Sequence, residues 1–527
     1  MDDTQGSWTV DFYDFRRQLT CPAADEGLRA YGDIHNWARR NGARQGTPFL
    51  LAPDGTADAR INLFFRVGSV ASRRPRTWRR YAFSLAVWLD FLEVYGRRWD
   101  EAAAEDFDAF KHWRMTDHRN IGRVRPTSFD TDRAGLNTFY TWASQRYGVV
   151  NPVPTKSAEP APQQWSGQGP RRDPARPAGS PRRQVKWLLR TAFEQWRDVG
   201  LRGYGFDGDR SDGWRGFNED RDAAFVDGLY GTGLRLSEWA SVLDVELPMQ
   251  DVAGRFPKAW LAEACIKGGR AGREYRVPRS VLKSLAGYLD PLEGSRTEAI
   301  DRARRRGRYD QMPGLTLVTG YSRKGRSLYL LTETGRTAVS LDVIGPEERL
   351  RLFRRAEDGL EPLALWLGND GMPKQAHGWE KTFQRANERI RKQWAAAHGT
   401  DGQECPLWAR PHMARHSFAL KWFTILSAVW NQQMEGFTDT ERRDLREQFG
   451  DVWFQLATLL GHSSPEVTKD WYLEPFTGLQ LDYILSLLDE EEQAAVDALL
   501  RKVAADSGRV LQVAHSSAFA ADGGDER

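Results

Sequence analysis

The chain has 527 residues, of which 40% are hydrophobic and 28% are charged. This composition is ordinary for a globular protein, and the length allows two or three domains with sizeable cores. The net charge of +3 does not by itself indicate a nucleic-acid partner, because both signs of charge are abundant.

The sequence contains no apolar run long enough to cross a membrane, which needs roughly 18 residues. Its acidic start, Met1-Asp2-Asp3, is unlike a secretory signal. The cysteines Cys21, Cys265 and Cys405 lie far apart and form no Cys-x-x-Cys pair. We therefore expect a cytoplasmic protein with no membrane contact, no structural disulfide or metal, and no cofactor.

Positive charge is concentrated in three stretches, residues 73–80, 171–183 and 302–308. Such clusters are compatible with phosphate contacts and equally with solvated helix faces. Arginine outnumbers lysine, which suits bidentate phosphate binding but also the coding bias of a high-GC bacterium.

In chain order, residues 1–69 form an N-terminal extension of unknown role, with one predicted helix over 26–40. Aromatic residues then recur at helical spacing, which predicts a small helical domain over 70–153 with these aromatics in its core. Residues 154–182 are rich in proline, glycine, serine and arginine and indicate a linker.

A larger, mostly helical unit is predicted over 183–490, followed by an acidic tail over 491–527. Its segment 294–361 contains strand-like runs at 315–318, 328–331 and 337–341, which indicate an inserted β-rich lobe. That lobe is either a further DNA or subunit contact or a structural elaboration. The predicted fold class is therefore mainly α with a small β component.

Four motifs in this unit contain arginine, lysine, histidine or tyrosine residues that are candidates for a catalytic site. Segment 231–238 (GTGLRLSE) predicts a glycine turn leading into a helix with Arg235 in its first turn. Segment 265–278 (CIKGGRAGREYRVP) predicts two short strands joined by a basic turn with Lys267. Segment 410–419 (RPHMARHSFA) places His412 and Arg415 on one helix face.

The fourth motif, segment 459–472 (LLGHSSPEVTKDWY), places His462 ten positions before Tyr472. Ser464, Pro465 and Glu466 predict a helix start between them, because serine caps helices, proline favours the first position and an acid suits the first turn. Tyr472 is then expected about two turns along that helix.

The order of these residues resembles the tyrosine recombinase (phage integrase) family, whose signature is an arginine, a hairpin lysine, His-x-x-Arg, a second histidine and a nucleophilic tyrosine. The six catalytic residues that this resemblance implies are Arg235, Lys267, His412, Arg415, His462 and Tyr472. The resemblance also implies that Glu238 positions the catalytic residues without contacting the DNA itself. We interpret His416 as a packing residue.

The chemistry suits these residue types. Two arginines can bind the non-bridging phosphate oxygens and neutralise charge in the transition state. A tyrosine with a pKa of about 10 needs a proton acceptor and a positive pocket. By the resemblance, His412 accepts that proton, Lys267 protonates the leaving 5′ oxygen, and His462 binds the scissile phosphate.

The resemblance further implies a core-binding (SAM-like) DNA-binding domain over 70–153 and a catalytic domain over 183–490, forming a C-shaped clamp. The partner is double-stranded DNA, with a homotetramer acting on two duplexes, and an accessory or directionality factor is possible. The DNA-contact candidates in the first domain are Arg73, Arg74, Arg76, Arg79, Arg80, Arg123 and Arg125.

The expected function is site-specific integration or excision of a mobile element in the nucleoid, through a 3′-phosphotyrosine intermediate and without metal or ATP. Three alternatives remain open at this point. A type IB topoisomerase uses similar residues as a monomer, a telomere resolvase is a more remote variant, and a DNA-binding regulator would lack cleavage. The identity of the DNA site cannot be read from the sequence.

Overall fold

The computed structural model describes two compact units, residues Met1–Arg182 and Arg183–Arg527. Within them it describes residues 6–15, 34–73, 75–154, 186–216, 218–248, 254–267, 270–290, 295–332, 335–399, 405–433, 437–438, 441, 450–462, 464–469 and 510–511. No described helix is long and apolar enough to cross a membrane.

The first unit is mainly helical. Within its described residues, the strands β1 (Thr9–Phe12) and β2 (Pro48–Leu51) pair antiparallel. Its helices are α1 (Ile34–Arg40), α2 (Ala59–Leu63), α3 (Gly68–Ala71), α4 (Pro75–Val94), α5 (Ala104–Met115) and α6 (Pro126–Tyr147). The part of the predicted helix over 26–40 that precedes Ile34 lies outside the described residues.

The aromatic stripes of this unit form its core, as their spacing predicts. Trp88 is fully buried and donates to the Tyr140 hydroxyl at 2.8 Å, which in turn donates to the Trp99 carbonyl at 2.8 Å. Tyr95 is an exception, with 66% of its surface exposed beyond the end of α4. Apolar residues from the chain before α4, Phe64 among them, are buried in the same core.

The second unit is also mainly helical. Its helices are α7 (Arg190–Leu201), α8 (Glu219–Thr232), α9 (Leu236–Trp239), α10 (Arg279–Leu289), α11 (Ser295–Arg305), α12 (Pro346–Arg349), α13 (Gly378–His398), α14 (Pro411–Gln433) and α15 (Val452–Leu460). A short helix over 465–469 follows α15.

Among the described residues of this unit, the strands form three sheets. They are β3 (Trp187–Leu188), β4 (Lys258–Leu261), β5 (Arg273–Arg276), β6 (Thr316–Ser322), β7 (Ser327–Thr332), β8 (Gly335–Ser340), β9 (Leu352–Ala356), β10 (Gly359–Pro362) and β11 (Val510–Leu511). β4 and β5 pair antiparallel, and β11 pairs parallel with β3. The fold is thus mainly α with a small β component, as predicted.

The segment predicted to be β-rich contains a five-stranded sheet with the order β10-β9-β6-β7-β8. The β6–β9 pair is parallel and the other pairs are antiparallel. Each of the three predicted strand runs overlaps a strand, β6, β7 or β8. Leu328 and Leu352 from this sheet pack in a small core of their own with Leu243.

Two local predictions need correction. The first strand of the lysine hairpin is Lys258–Leu261, earlier than the motif indicates, and Glu263–Cys265 is a 3-10 turn. The helix predicted to follow the glycine turn of segment 231–238 spans only Leu236–Trp239. Beyond it the chain pairs with the segment that follows β10: Leu365 donates to the Val242 carbonyl and Asp244 to the Leu363 carbonyl.

Candidate active site

Arg235 and Glu238 form an ion pair at the start of α9. Gly233 ends α8 with a φ of 66°, a left-handed conformation that favours glycine. The Arg235 side chain then donates to Glu238 Oε1 at 2.8 Å, and its backbone N–H donates to Oε2 at 2.9 Å. Arg235 therefore precedes the helix as its cap residue rather than lying in the first turn as expected.

The guanidinium of Arg415 connects α14, the helix that contains it, to the ends of α8 and α15. It lies one turn into α14 and is 4% exposed. Nη1 donates to the carbonyl of Gly233, and Nη2 donates to the carbonyl of Leu460 at the end of α15. Phe418, also on α14, packs where a Gly233 side chain would be, 2.3 Å from an ideal Cβ. The three motifs are thus held together around one buried guanidinium.

His462 follows the glycine that ends α15. Gly461 has a φ of 65°, and the His462 backbone N–H donates to the Ala457 carbonyl at 2.9 Å. The His462 Nδ1 is 2.9 Å from the hydroxyl of buried Thr468. Burial, together with the positive charge of Arg415 and Arg235, lowers the pKa of His462 to about 3. His462 is therefore neutral at pH 7.

The lysine hairpin contacts the same loop with two arginines. Arg270 donates to the Gly461 carbonyl at 2.8 Å, and Arg273 Nη2 lies 3.3 Å from Glu238 Oε2. An ideal Cβ on Gly461 would lie 2.2 Å from Arg273 Nε, so a larger residue there would displace the Arg273 side chain. Lys267 is exposed in the connection between β4 and β5.

His412 lies at the exposed beginning of α14, one turn before Arg415. Partial burial lowers its pKa, and the positive charges of Arg415, Arg235 and Lys267 lower it further. A histidine below its ordinary pKa of about 6.5 is neutral at pH 7 and can accept a proton. His416, 6.2 Å away between ring centroids, has a pKa lowered to about 3, chiefly by burial.

The buried carboxylate of Glu238 has Arg235 and Arg273 beside it. Burial would raise its pKa, but the charges of Arg273, Arg235 and Arg415 lower the pKa below its usual value. Glu238 is therefore ionised and partly neutralises the arginines. The remaining positive charge suits an anion such as a phosphodiester.

The structure therefore brings together five of the six sequence-predicted catalytic residues. Tyr472 lies outside the described residues. The predicted helix start before it is present, with the Val467 N–H 3.5 Å from the Ser464 hydroxyl and residues 465–469 helical.

Arg270 and Arg273 are the charged residues of the site to which the sequence analysis gave no role. Both lie in the glycine-rich basic segment from which Lys267 was predicted as a catalytic residue. The only sequence pattern that could have indicated a role for these two arginines is that they alternate with glycines there. Nε and Nη1 of Arg273 are buried and lack a hydrogen-bond partner among the described residues.

Most candidate DNA-contact arginines of the first unit are exposed. Arg73, Arg76, Arg123 and Arg125 lie at its surface, and Arg74 lies outside the described residues. Two others also have partners within the unit. Arg80 pairs with buried Asp132 at 2.8 Å. Arg79 lies over the Phe12 ring, 4.8 Å from its centroid.

The sequence matches no family model and no curated protein. Similar solved structures are tyrosine recombinases. XerH site-specific recombinase bound to its difH substrate is 10% identical with a TM-score of 0.37, covering 83% of this chain and 86% of that one.

Two further solved structures are similar at comparable levels. The Tn1549 transposon integrase in complex with a circular intermediate DNA is 15% identical, with a TM-score of 0.33 and coverage of 71% and 82%. XerA recombinase is 13% identical, with a TM-score of 0.24 and coverage of 78% and 92%. At these TM-scores the similarity assigns no function, so we base the proposal below on the side chains of the site.

Proposed function

We propose that the protein is a site-specific DNA recombinase that cleaves and rejoins strands through a 3′-phosphotyrosine intermediate. One observation supports this most directly: Arg415 bonds the ends of α8 and α15, placing Arg235, His412 and His462 around one positive site. Arginines and neutral histidines gathered in one site can bind a phosphodiester and stabilise the negative charge that develops on it in the transition state.

In the proposed reaction, the Tyr472 oxygen attacks the phosphorus while His412 accepts the phenol proton. The bond from phosphorus to the 5′ oxygen breaks, and Lys267 gives that oxygen a proton. Arg235 and Arg415 bind the non-bridging oxygens, and His462 donates a hydrogen bond to the phosphate. Each residue is thus given a role that its side chain can perform: nucleophile, proton acceptor, proton donor or phosphate ligand.

The proposed intermediate conserves the phosphodiester bond energy, because a phosphotyrosine ester replaces a phosphate ester. A 5′ hydroxyl can therefore reverse the step without ATP or metal. Exchange requires the hydroxyl to come from a second duplex, and two duplexes have four cleavage sites. We therefore propose a homotetramer on double-stranded DNA in the nucleoid, integrating or excising a mobile element.

The test is covalent trapping. The protein is incubated in EDTA with nicked DNA that spans its flanking genomic junction, so that a cleaved short strand diffuses away and the adduct accumulates. We expect an SDS-resistant adduct with the unsubstituted protein and none with Tyr472→Phe, because phenylalanine has no nucleophilic oxygen.

Tyr483→Phe is the matched control, since it removes another tyrosine hydroxyl a short distance along the chain. It should leave adduct formation unchanged. An adduct that persists in Tyr472→Phe would contradict the assigned nucleophile. No adduct on DNA that the protein demonstrably binds would contradict cleavage and favour a DNA-binding regulator.

A further inference from the structure

The five-stranded sheet contacts the connection that contains Lys267 through Asp342, which follows β8. Asp342 Oδ1 accepts from Trp260 Nε1 at 2.9 Å and from the Glu263 N–H at 3.2 Å. The Asp342 backbone carbonyl accepts from the Ala264 N–H at 2.9 Å. Asp342, two residues after the end of β8, thus binds β4 and the chain just after it.

These bonds matter because the 3-10 turn Glu263–Cys265 begins here. The first N–H groups of any helical turn have no acceptor within it. Asp342 supplies acceptors for the N–H groups of Glu263 and Ala264. It therefore caps this turn although it lies 79 positions after Glu263 in the sequence. The turn continues through the bond from the Ile266 N–H to the Glu263 carbonyl at 2.9 Å, and Lys267 comes next.

Arg326, in the turn between β6 and β7, contacts the same two side chains. Its guanidinium lies 4.0 Å from the centroid of the Trp260 ring and 3.6 Å from Asp342 Oδ2. Its φ of 45° is left-handed, which is uncommon for a residue with a side chain. In that conformation its carbonyl accepts from the Leu341 N–H at 2.8 Å. These contacts offset the strain and brace Asp342 against the sheet.

The chain returning from Lys267 to β5 packs against the same pair at Gly272. An ideal Cβ there would lie 2.7 Å from Trp260 Cζ2 and 3.0 Å from Asp342 Oδ1. The connection over 262–272 is therefore held at both ends by Asp342 and Trp260. Lys267 itself stays exposed between those ends.

We propose that Asp342 is a positioning residue for Lys267, so that the inserted sheet sets the reach of the proposed general acid. This rests on the proposed function. In that step the proton moves from Lys267 Nζ to the 5′ oxygen as the phosphorus–oxygen bond breaks, leaving a neutral amine and a 5′ hydroxyl. A misplaced ammonium slows that step, because proton transfer requires hydrogen-bond reach.

The test uses the full-length protein with Asp342→Ala, and two control variants. Asp342→Asn retains an oxygen acceptor for Trp260 and Glu263, and Asp358→Ala removes an exposed acid from the turn between β9 and β10. Cleavage is timed on ordinary DNA and on DNA with a bridging 5′ sulfur. A thiolate leaves without protonation, so cleavage of the sulfur substrate does not need Lys267.

We expect Asp342→Ala to cleave ordinary DNA on the order of 10-fold more slowly, since a positioned general acid contributes about 10² or more. Its rate on the sulfur substrate should match the unsubstituted protein. Both control variants should cleave both substrates at nearly unchanged rates. Equal slowing on the two substrates, or no slowing, would overturn the positioning role.

Amide hydrogen exchange of a peptide spanning residues 259–267 gives a readout that does not depend on cleavage. Asp342→Ala should speed exchange at Glu263, whose side-chain acceptor it removes, and the two controls should not. Unchanged exchange would overturn the proposal even if cleavage slows. Failure of the unsubstituted protein to cleave either substrate would instead refute the proposed function, and exchange would then decide whether Asp342 holds the connection.

Discussion

Glu238 is the residue around which the charges of the site are arranged. It is fully buried and pairs with Arg235 at 2.8 Å and Arg273 at 3.3 Å. A buried carboxylate is stable only when paired, and removal of one partner leaves an uncompensated charge. Arg273, in the lysine hairpin, is therefore linked through its ion pair with Glu238 to Arg235 at the start of α9, although the hairpin and α9 are separate in the sequence.

Gly461 gives a residue-level prediction about Arg273. Gly461→Ala puts a side chain at a φ of 65° and 2.2 Å from Arg273 Nε. The left-handed conformation alone costs about 1 kcal/mol or more, and displacement of Arg273 disturbs Glu238. We expect a lower free energy of unfolding in urea denaturation and cleavage slowed on the order of 10-fold, the factor for 1.4 kcal/mol in the barrier.

Gly287→Ala is the matched control for this prediction. Gly287 is exposed in α10, and an ideal Cβ there meets nothing within 4 Å. Alanine should stabilise that helix by about 0.5–1 kcal/mol and leave cleavage unchanged. Equal behaviour of the two variants would show that Arg273 does not need the space at Gly461.

At the scale of elements, α14 is placed by contacts at its beginning as well as by its core face. Asn387, on α13, accepts from Trp196 Nε1 at 2.8 Å and from the Ala409 N–H at 2.9 Å. It also donates to the Ala409 carbonyl at 2.9 Å. Ala409 lies three positions before His412, so one amide sets where the helix with His412 and Arg415 begins.

Asn387→Ala should therefore destabilise the protein by about 2–4 kcal/mol, because it leaves buried polar groups without partners. The measurement is the urea midpoint, read together with cleavage, which should also slow as His412 moves. Gln384→Ala, at an exposed position of the same helix, should change stability by less than about 0.5 kcal/mol. A comparable loss in both variants would contradict the role of Asn387.

The lysine hairpin shows where element prediction from sequence failed. Glycine and basic residues marked the turn correctly, but β4 begins at Lys258, before the motif. Strand pairing depends on the partner strand and on side-chain packing, and Trp260 and Asp342 are 82 positions apart. A local pattern contains no information about that contact.

For the molecule as a whole, two half-buried histidines make stability depend on pH. Burial lowers the pKa of His416 and of His462 to about 3, against an ordinary value of 6.5. Between those values the unfolded chain binds more protons than the folded one, so stability falls as the pH is lowered from about 6.5 towards 3. Above about pH 6.5 both states are neutral and this contribution is fully present.

His416→Gln removes one of these groups without touching the proposed catalytic residues. The free energy of unfolding, measured by urea between pH 6 and 4.5, should then fall less steeply than in the unsubstituted protein. The expected difference in slope is on the order of 1 kcal/mol per pH unit. Parallel pH profiles for the two proteins would contradict a neutral, half-buried His416.

Features that depend on a few neighbouring residues follow from the local amino-acid sequence. Gly233 and Gly461 end helices in the left-handed conformation, Pro411 begins α14, and Ser464 caps the helix after His462. Capping and backbone preferences act within about one turn, so a local pattern is enough to predict them. The order of the six candidate catalytic residues was likewise readable directly.

Contacts between groups that are distant in the chain follow instead from the three-dimensional fold. The bonds from Arg415 to Gly233 and Leu460 and the contacts of Asp342 with the lysine connection join residues 45 to 182 positions apart. Which buried donors find which acceptors depends on packing across the whole unit, because most buried polar groups need a partner in the folded protein. The physical reason is that such pairings are a property of the folded core and not of any segment.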